Sequence, residues 1–204
     1  MSKEFVSNYE KVYEHYKQIF LQMDHQKAAD KLALRIDKDF LYIPYFNQPI
    51  ILERKTADFR IENDVKEVQL NDKLLIMHHL HFYKDYASLS GSMVAFREIK
   101  GLSFFEAAYN KHTLEPLAKA FMGKPHEFIS RVRAIGASIE SFGDASFTIN
   151  AFPKIPLTYI FWDGDDEMSA AATVLFDKNI TWFIHMESVP VLASAGAHLL
   201  MGSQ

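Results

Sequence analysis

Apolar residues recur at helical spacing along the first stretch of the chain: Phe5, Tyr9, Val12, Tyr13, Tyr16, Ile19, Phe20 and Met23. Steps of three and four residues put them on one stripe, which predicts an amphipathic helix over residues 4–23 with its aromatic face docked on a core. A second helix is expected from Gln26 to Leu34. The period then shortens. FLYIPYF and PIILE flank Asn47-Gln48-Pro49 and predict a hairpin, with Pro44 restricting the first strand to an edge or a bulge, and a short strand follows at Phe59 to Glu62. Asn71 is placed to cap a helix over Asp72 to Asp85, and its LLIMHHLHFY segment is apolar nearly all round, as a buried central helix would be.

Beyond the Ser90-Gly91 turn, MVAFREI predicts a strand. Ser103-Phe104-Phe105-Glu106 has the form of a capping box, with Leu102 placed to staple against Ala107. That helix is expected to break near His112-Thr113 ahead of Pro116, with Thr113 capping a second piece that stops at Gly123, and Pro125 opens another helix to Gly136. Residues Ala145 to Phe152 alternate at period two, and Leu157 to Trp162 is apolar on both faces, so a half-buried strand should pair antiparallel with a central one. Ser188 is placed to cap a last helix to Met201, whose Ala193-Ser194-Ala195-Gly196-Ala197 run permits close backbone approach. Helices and strands come in blocks and not as βαβ units. The expected class is therefore α+β: a single domain over residues 1–204, with a mixed or mostly antiparallel sheet covered by helices.

Composition narrows the functions. With 204 residues, 49% of them hydrophobic, and 17 Phe, the chain has ample material for a core. The net charge of -4 and the absence of a long Lys/Arg cluster argue against nucleic acid as the main ligand. The chain contains no cysteine, which excludes disulfides and thiolate-held zinc or iron–sulfur clusters. No apolar segment approaches the ~20 residues of a membrane span, and the N-terminus lacks a signal-peptide core, so a cytoplasmic protein is expected.

Three features carry candidate chemistry. Four acids fall among five residues (Asp163, Asp165, Asp166 and Glu167), directly after Trp162. Carboxylates that close repel one another unless water, a base or a metal relieves them. Asp163, Asp165 and Glu167 alternate as oxygen ligands of a divalent metal would, although the calcium-loop pattern is not met, and Trp162 could wall or stack on a planar ligand. Alternatively the acids simply build a solvated turn. His78 and His81 stand three apart on one helix face with Asp85 a turn further, spacing that suits a metal or a tetrapyrrole iron, whereas His79 points towards Leu75 and Phe82; buried histidines satisfied by backbone or carboxylate are the plainer alternative. Arg97, on the inner face of its expected strand, needs a partner: a carboxylate of the acidic loop, or an anionic ligand. Walker, GxSxG, HExxH and Gly-rich phosphate motifs are all missing.

LLIMHHL, then SGSMVAFREIKG, then GDASFTINAFPKIPLTYIFWDGDDEMSAAATVLFD, together resemble a bacterial and archaeal family known only as a domain of unknown function, family 3786. The resemblance covers nearly the whole chain. It rests most on Phe96-Arg97-Glu98, Gly143-Asp144, Pro153, Pro156, Trp162, the Gly164-to-Glu167 turn and Leu175-Phe176-Asp177. It implies a setting in anaerobic cofactor or one-carbon metabolism. It transfers no catalytic residue, and the additional Cys-rich iron–sulfur module that the resemblance implies for some relatives does not carry over to this cysteine-free chain. Three functions stay open: a small-molecule or cofactor-binding protein, with a tetrapyrrole in view; a metal-dependent enzyme using the acidic loop and a histidine; and a structural homodimer joined through the small-residue face of the last helix.

Overall fold

In the computed structural model, which describes residues 7–202, the strands divide between two antiparallel sheets and the class is α+β. Helix α1 (Asn8–Gln22) begins at a true capping box: Ser7 Oγ accepts from the Glu10 amide and Glu10 Oε2 from the Ser7 amide. Phe5, counted in the aromatic stripe, lies outside the described residues. Helix α2 (His25–Leu32) is capped by Asp24 and ends at Ala33, which takes a left-handed conformation.

The first sheet has strand order β1 (Arg35–Ile36), β2 (Phe40–Tyr45), β3 (Gln48–Glu53), β4 (Phe59–Ile61). β2 turns Leu41, Ile43 and Tyr45 inward. Pro44 faces Pro49 across the hairpin, and β1 pairs only with Leu41 and Tyr42, so Pro44 does sit where β2 has no outer neighbour. The turn falls at Phe46 and Asn47, one residue earlier than the sequence suggests. Both have positive φ (47° and 62°), the geometry of a type I′ hairpin turn. The tip is fastened down: the Phe46 amide donates to the Ala151 carbonyl, and Asn47 Nδ2 donates to the Ile135 and Gly136 carbonyls.

Helix α3 (Leu70–Phe82) starts two residues before the expected Asp72, follows Gln69 without a side-chain cap, and ends before Asp85. It buries Leu74, Leu75, Ile76, Met77, His79 and Leu80, and α1 packs along it. The second sheet runs β5 (Met93–Ala95), β9 (Ala171–Asp177), β8 (Ile155–Trp162), β7 (Ala145–Phe152), β6 (Ser138–Glu140). β7 and β8 pair as expected, antiparallel, with Phe147 opposite Tyr159. The expected MVAFREI strand stops at Ala95. Residues Phe96–Glu98 form a single 3₁₀ turn, closed by Glu98 accepting from the Ala95 amide.

Residues 103–121 differ from the expected broken helix. Ser103 begins a 3₁₀ turn without any side-chain cap; α4 (Glu106–Tyr109) passes through a π-helical turn at Asn110–Leu114 into α5 (Glu115–Phe121). The wider turn absorbs Pro116, whose missing N–H and bulky ring would otherwise break the path, and Thr113 is buried instead of capping. Helix α6 (Pro125–Ala134) begins at its proline as expected. Helix α7 (Ser188–Met201) packs against α3, α5, α6 and the π-helical turn, and one apolar cluster runs continuously through sheets and helices. Among the described residues no helix is long and apolar enough to cross a membrane.

α7 comes close because Gly196 lacks a side chain. A Cβ there would stand 2.1 Å from the Tyr159 hydroxyl and 2.9 Å from the Phe46 ring. The Tyr159 hydroxyl, fully buried, donates to the Ala193 carbonyl at 2.8 Å. Of the small-residue run, Ala193, Gly196 and Ala197 are buried within the chain, while Ser194 and Ala195 are half-buried.

Candidate functional site

A cleft of about 740 Å³ opens where the β2–β3 hairpin, the start of α3 and one side of α7 meet. That volume lies in the range of small-molecule sites. Phe46, Val68, Leu75 and Leu199 give it apolar walls, and Gln48, Gln69, Asn71 and His198 supply polar groups. At its floor, the Tyr45 hydroxyl donates to Asp72 Oδ1 at 2.7 Å. The inward phase of β2 sends Tyr45 down, where its ring packs on Phe46 and Phe152. Asp72 arrives from the first turn of α3.

Burial dominates the electrostatics of this pair. It holds the Tyr45 hydroxyl well above its ordinary value, helped by the adjacent Asp72 carboxylate, so Tyr45 stays a donor. Burial also raises Asp72, against the opposing hydrogen bond from Tyr45. A carboxyl group raised on folding is costlier to keep ionised in the native state, so its contribution to stability is fully present below the unfolded value of 3.8 and is lost as pH rises through the folded value. Asp72→Asn keeps an acceptor for Tyr45 and removes the charge. The variant is expected to melt at a higher temperature than the wild type near pH ~7, with the gap closing on acidification to below about pH 4, as read by thermal unfolding across that range. An unchanged or lower melting temperature at neutral pH would refute it.

The residues singled out from the sequence lie elsewhere. His78 and His81 do share a side of α3, with the Tyr16 ring 4.6 Å from the first and 5.6 Å from the second. His78 Nδ1, however, is 2.6 Å from Ser188 Oγ, and its Nε2 is buried without a partner. Ser188 is thereby spent on His78 and does not cap α7. Burial, with His185 and His81 nearby, lowers His78 to about 4. His81 is exposed on a second, smaller and more open hollow of about 590 Å³, beside the Lys27–Asp85 ion pair at 2.9 Å. Asp85 therefore pairs with α2 instead of orienting a histidine. His79 is fully buried, stacked on Phe152, and its Nδ1 donates to the Phe183 carbonyl at 2.8 Å.

Arg97 is exposed on its 3₁₀ turn, and among the described residues no ion pair joins it to the acidic loop. Trp162 closes β8 with its side chain 41% exposed. The acids build the turn itself. Asp163 Oδ1 accepts from the Gly123 amide at 2.7 Å and from that of Gly164, while Asp165 Oδ1 accepts from the amides of Glu167 and Met168, which hold its carboxyl below the ordinary range. Glu167 points to solvent. Among the described residues, no three His, Asp or Glu side chains gather closely enough to share a metal ion. The loop precedes β9, and the residues that bond the α3 histidines, Phe183 and Ser188, follow it. Of these residues, His81 lines the second hollow, and neither hollow is lined by His78, Arg97, Trp162 or the acids of the turn.

Sequence reasoning missed the cleft. Tyr45 read as one more aromatic of the hairpin, Asp72 as the first residue of a helix, and His198 as part of the last helix. No local pattern couples residues 27 and more positions apart.

No curated protein and no solved structure matches the chain. Residues 24–198 match the family model described as Domain of unknown function (DUF3786), a span that runs from the cap of α2 into α7 and takes in the Tyr45–Asp72 floor of the cleft. The chain belongs to that family.

Proposed function

We propose that the protein binds a small molecule or cofactor in the cleft between the β2–β3 hairpin, α3 and α7. One observation carries this reading: a site-sized hollow whose apolar walls converge on a single hydrogen-bonded pair, Tyr45 and Asp72, 2.7 Å apart. Two sides of the cleft are braced. Tyr45 is locked by Phe46 and Phe152, and α7 is held to β8 by Tyr159. A preformed shape of this kind loses little ordering entropy on binding.

The test is to map amide chemical shifts while titrating a fragment library together with haem, cobalamin and flavin mononucleotide. The same titrations are then repeated with Ala195→Phe, which fills the cleft from α7. Binders should shift amides of Gln69 to Leu75 and Val191 to Leu199 in the wild type and lose most of their effect in the filled variant. A library that leaves those amides unmoved, or binders indifferent to Ala195→Phe, would remove the reading. The tetrapyrrole version has its own arm: haem must bind through the cleft, where His198 is the imidazole available, and not through His78 or His81.

A further inference from the structure

Asp72 is half-buried at the floor of the cleft, with one oxygen engaged by Tyr45, and among the described residues it forms no ion pair. Resting on the binding function proposed above, we infer that the cleft takes a cationic amine: a protonated amino group on Asp72 Oδ2, carried by an apolar body that lies against Phe46, Val68, Leu75 and Leu199.

The chemistry follows from what the carboxylate lacks. A carboxylate with four acceptor sites and one protein donor retains unmet capacity, and withdrawing it from water makes that unmet capacity costly. A neutral ligand covering it would strip its remaining water without replacing the lost charge–dipole contacts. An anion would add repulsion at close range. An ammonium group restores both charge balance and donors, in charge-assisted bonds that strengthen as the site dries. The position of Asp72 in the first turn of α3 makes the geometry definite, because the helix fixes its backbone while Tyr45 fixes its rotamer. The other charges at the cleft do not reverse the preference. Lys66 and Glu67 are adjacent in sequence, opposite in sign and exposed, and His198 is exposed on α7.

The experiment compares three probes sharing one apolar body: naphthylmethylamine, naphthylmethanol and naphthoic acid of the same isomer. Each is titrated by calorimetry near pH ~7, with amide shifts reporting whether it enters the cleft. The amine should bind at least roughly tenfold tighter than the alcohol, and the acid weakest. Asp72→Asn, whose folding is checked by its own unfolding transition, should bring the amine down to the alcohol measured on the same variant. If the alcohol or acid enters the cleft as tightly as the amine, the inference is overturned while the binding function stands; this comparison needs only the wild-type protein. If the amine keeps its advantage in Asp72→Asn, the inference is likewise overturned. If none of the three enters the cleft, the amine inference is overturned; the fragment and cofactor titrations then decide the underlying reading separately.

Discussion

Acidification from about pH 7 to about pH 5 is expected to weaken the fold by roughly 2 kcal/mol through His79 alone. The ring is fully buried, and burial lowers it from 6.5 to about 4 against the smaller, opposing effect of the Phe183 carbonyl. In the unfolded chain the same imidazole titrates at its ordinary value. Between 6.5 and about 4 the unfolded state therefore holds a proton that the folded state refuses, and stability falls as pH falls through that window. His78 and His81 act in the same direction, both lowered first by burial and then by neighbouring cations, but both are more exposed and contribute less. Asp72, raised by burial, acts oppositely.

Urea unfolding at closely spaced pH values measures this loss directly. His79→Gln keeps a donor for Phe183 without a titrating ring, so its stability should vary with pH by up to about one proton less than the wild type over the same window. Should Gln prove too disruptive, the imidazole C–H resonances of the wild type carry the same information: His79 should show no protonation shift above about pH 5. A stability that stays flat from 6.5 down to about 5, or a His79 resonance that titrates normally, would refute the expectation.

The three histidines of α3 show how far the sequence could be read. LLIMHHLHFY announces a buried helix, and the period places His78 and His81 together with His79 apart; both features hold in the structure. What the imidazoles bond to comes from Phe183 and Ser188, more than a hundred positions away, and no spacing within one helix discloses that. The acidic turn is legible as a turn for a local reason, since Asp165 bonds amides two and three residues on. Arg97 misled because AFREI alternates like a strand. Alternation marks a strand only where a neighbour continues, and β9 pairs with Met93, Val94 and Ala95 alone before the Glu98 carboxylate turns the chain. β9 went unrecognised although it lies inside the five-stranded sheet, because its ATVLFD run is short and its preceding residues read as loop.

Gly196→Ala is expected to cost about 3 kcal/mol, the larger of the two effects, even though alanine is the better helix former by roughly 1 kcal/mol. The added Cβ falls 2.1 Å from the Tyr159 hydroxyl, and neither group has room to yield: Tyr159 is fully buried and its ring stacks on Phe147 at 4.8 Å. Relief requires α7 to move outward, which stretches the hydroxyl's bond to Ala193; overpacking of about 1–3 kcal/mol adds to a buried donor left unpaired at about 1–3 kcal/mol. For a chain of this size the loss corresponds to roughly 6–12 °C in Tm. Adding Tyr159→Phe removes the clashing oxygen, so the double variant should be more stable than the sum of the two single losses allows, with the Phe46 contact at 2.9 Å leaving the rescue incomplete. Since α7 is also a wall of the cleft, Gly196→Ala should weaken any cleft ligand, and Tyr159→Phe should restore part of that affinity alongside the stability. Strict additivity in stability would mean that the hydroxyl and the missing methyl do not meet, and that α7 is held against β8 by something other than the gap at Gly196.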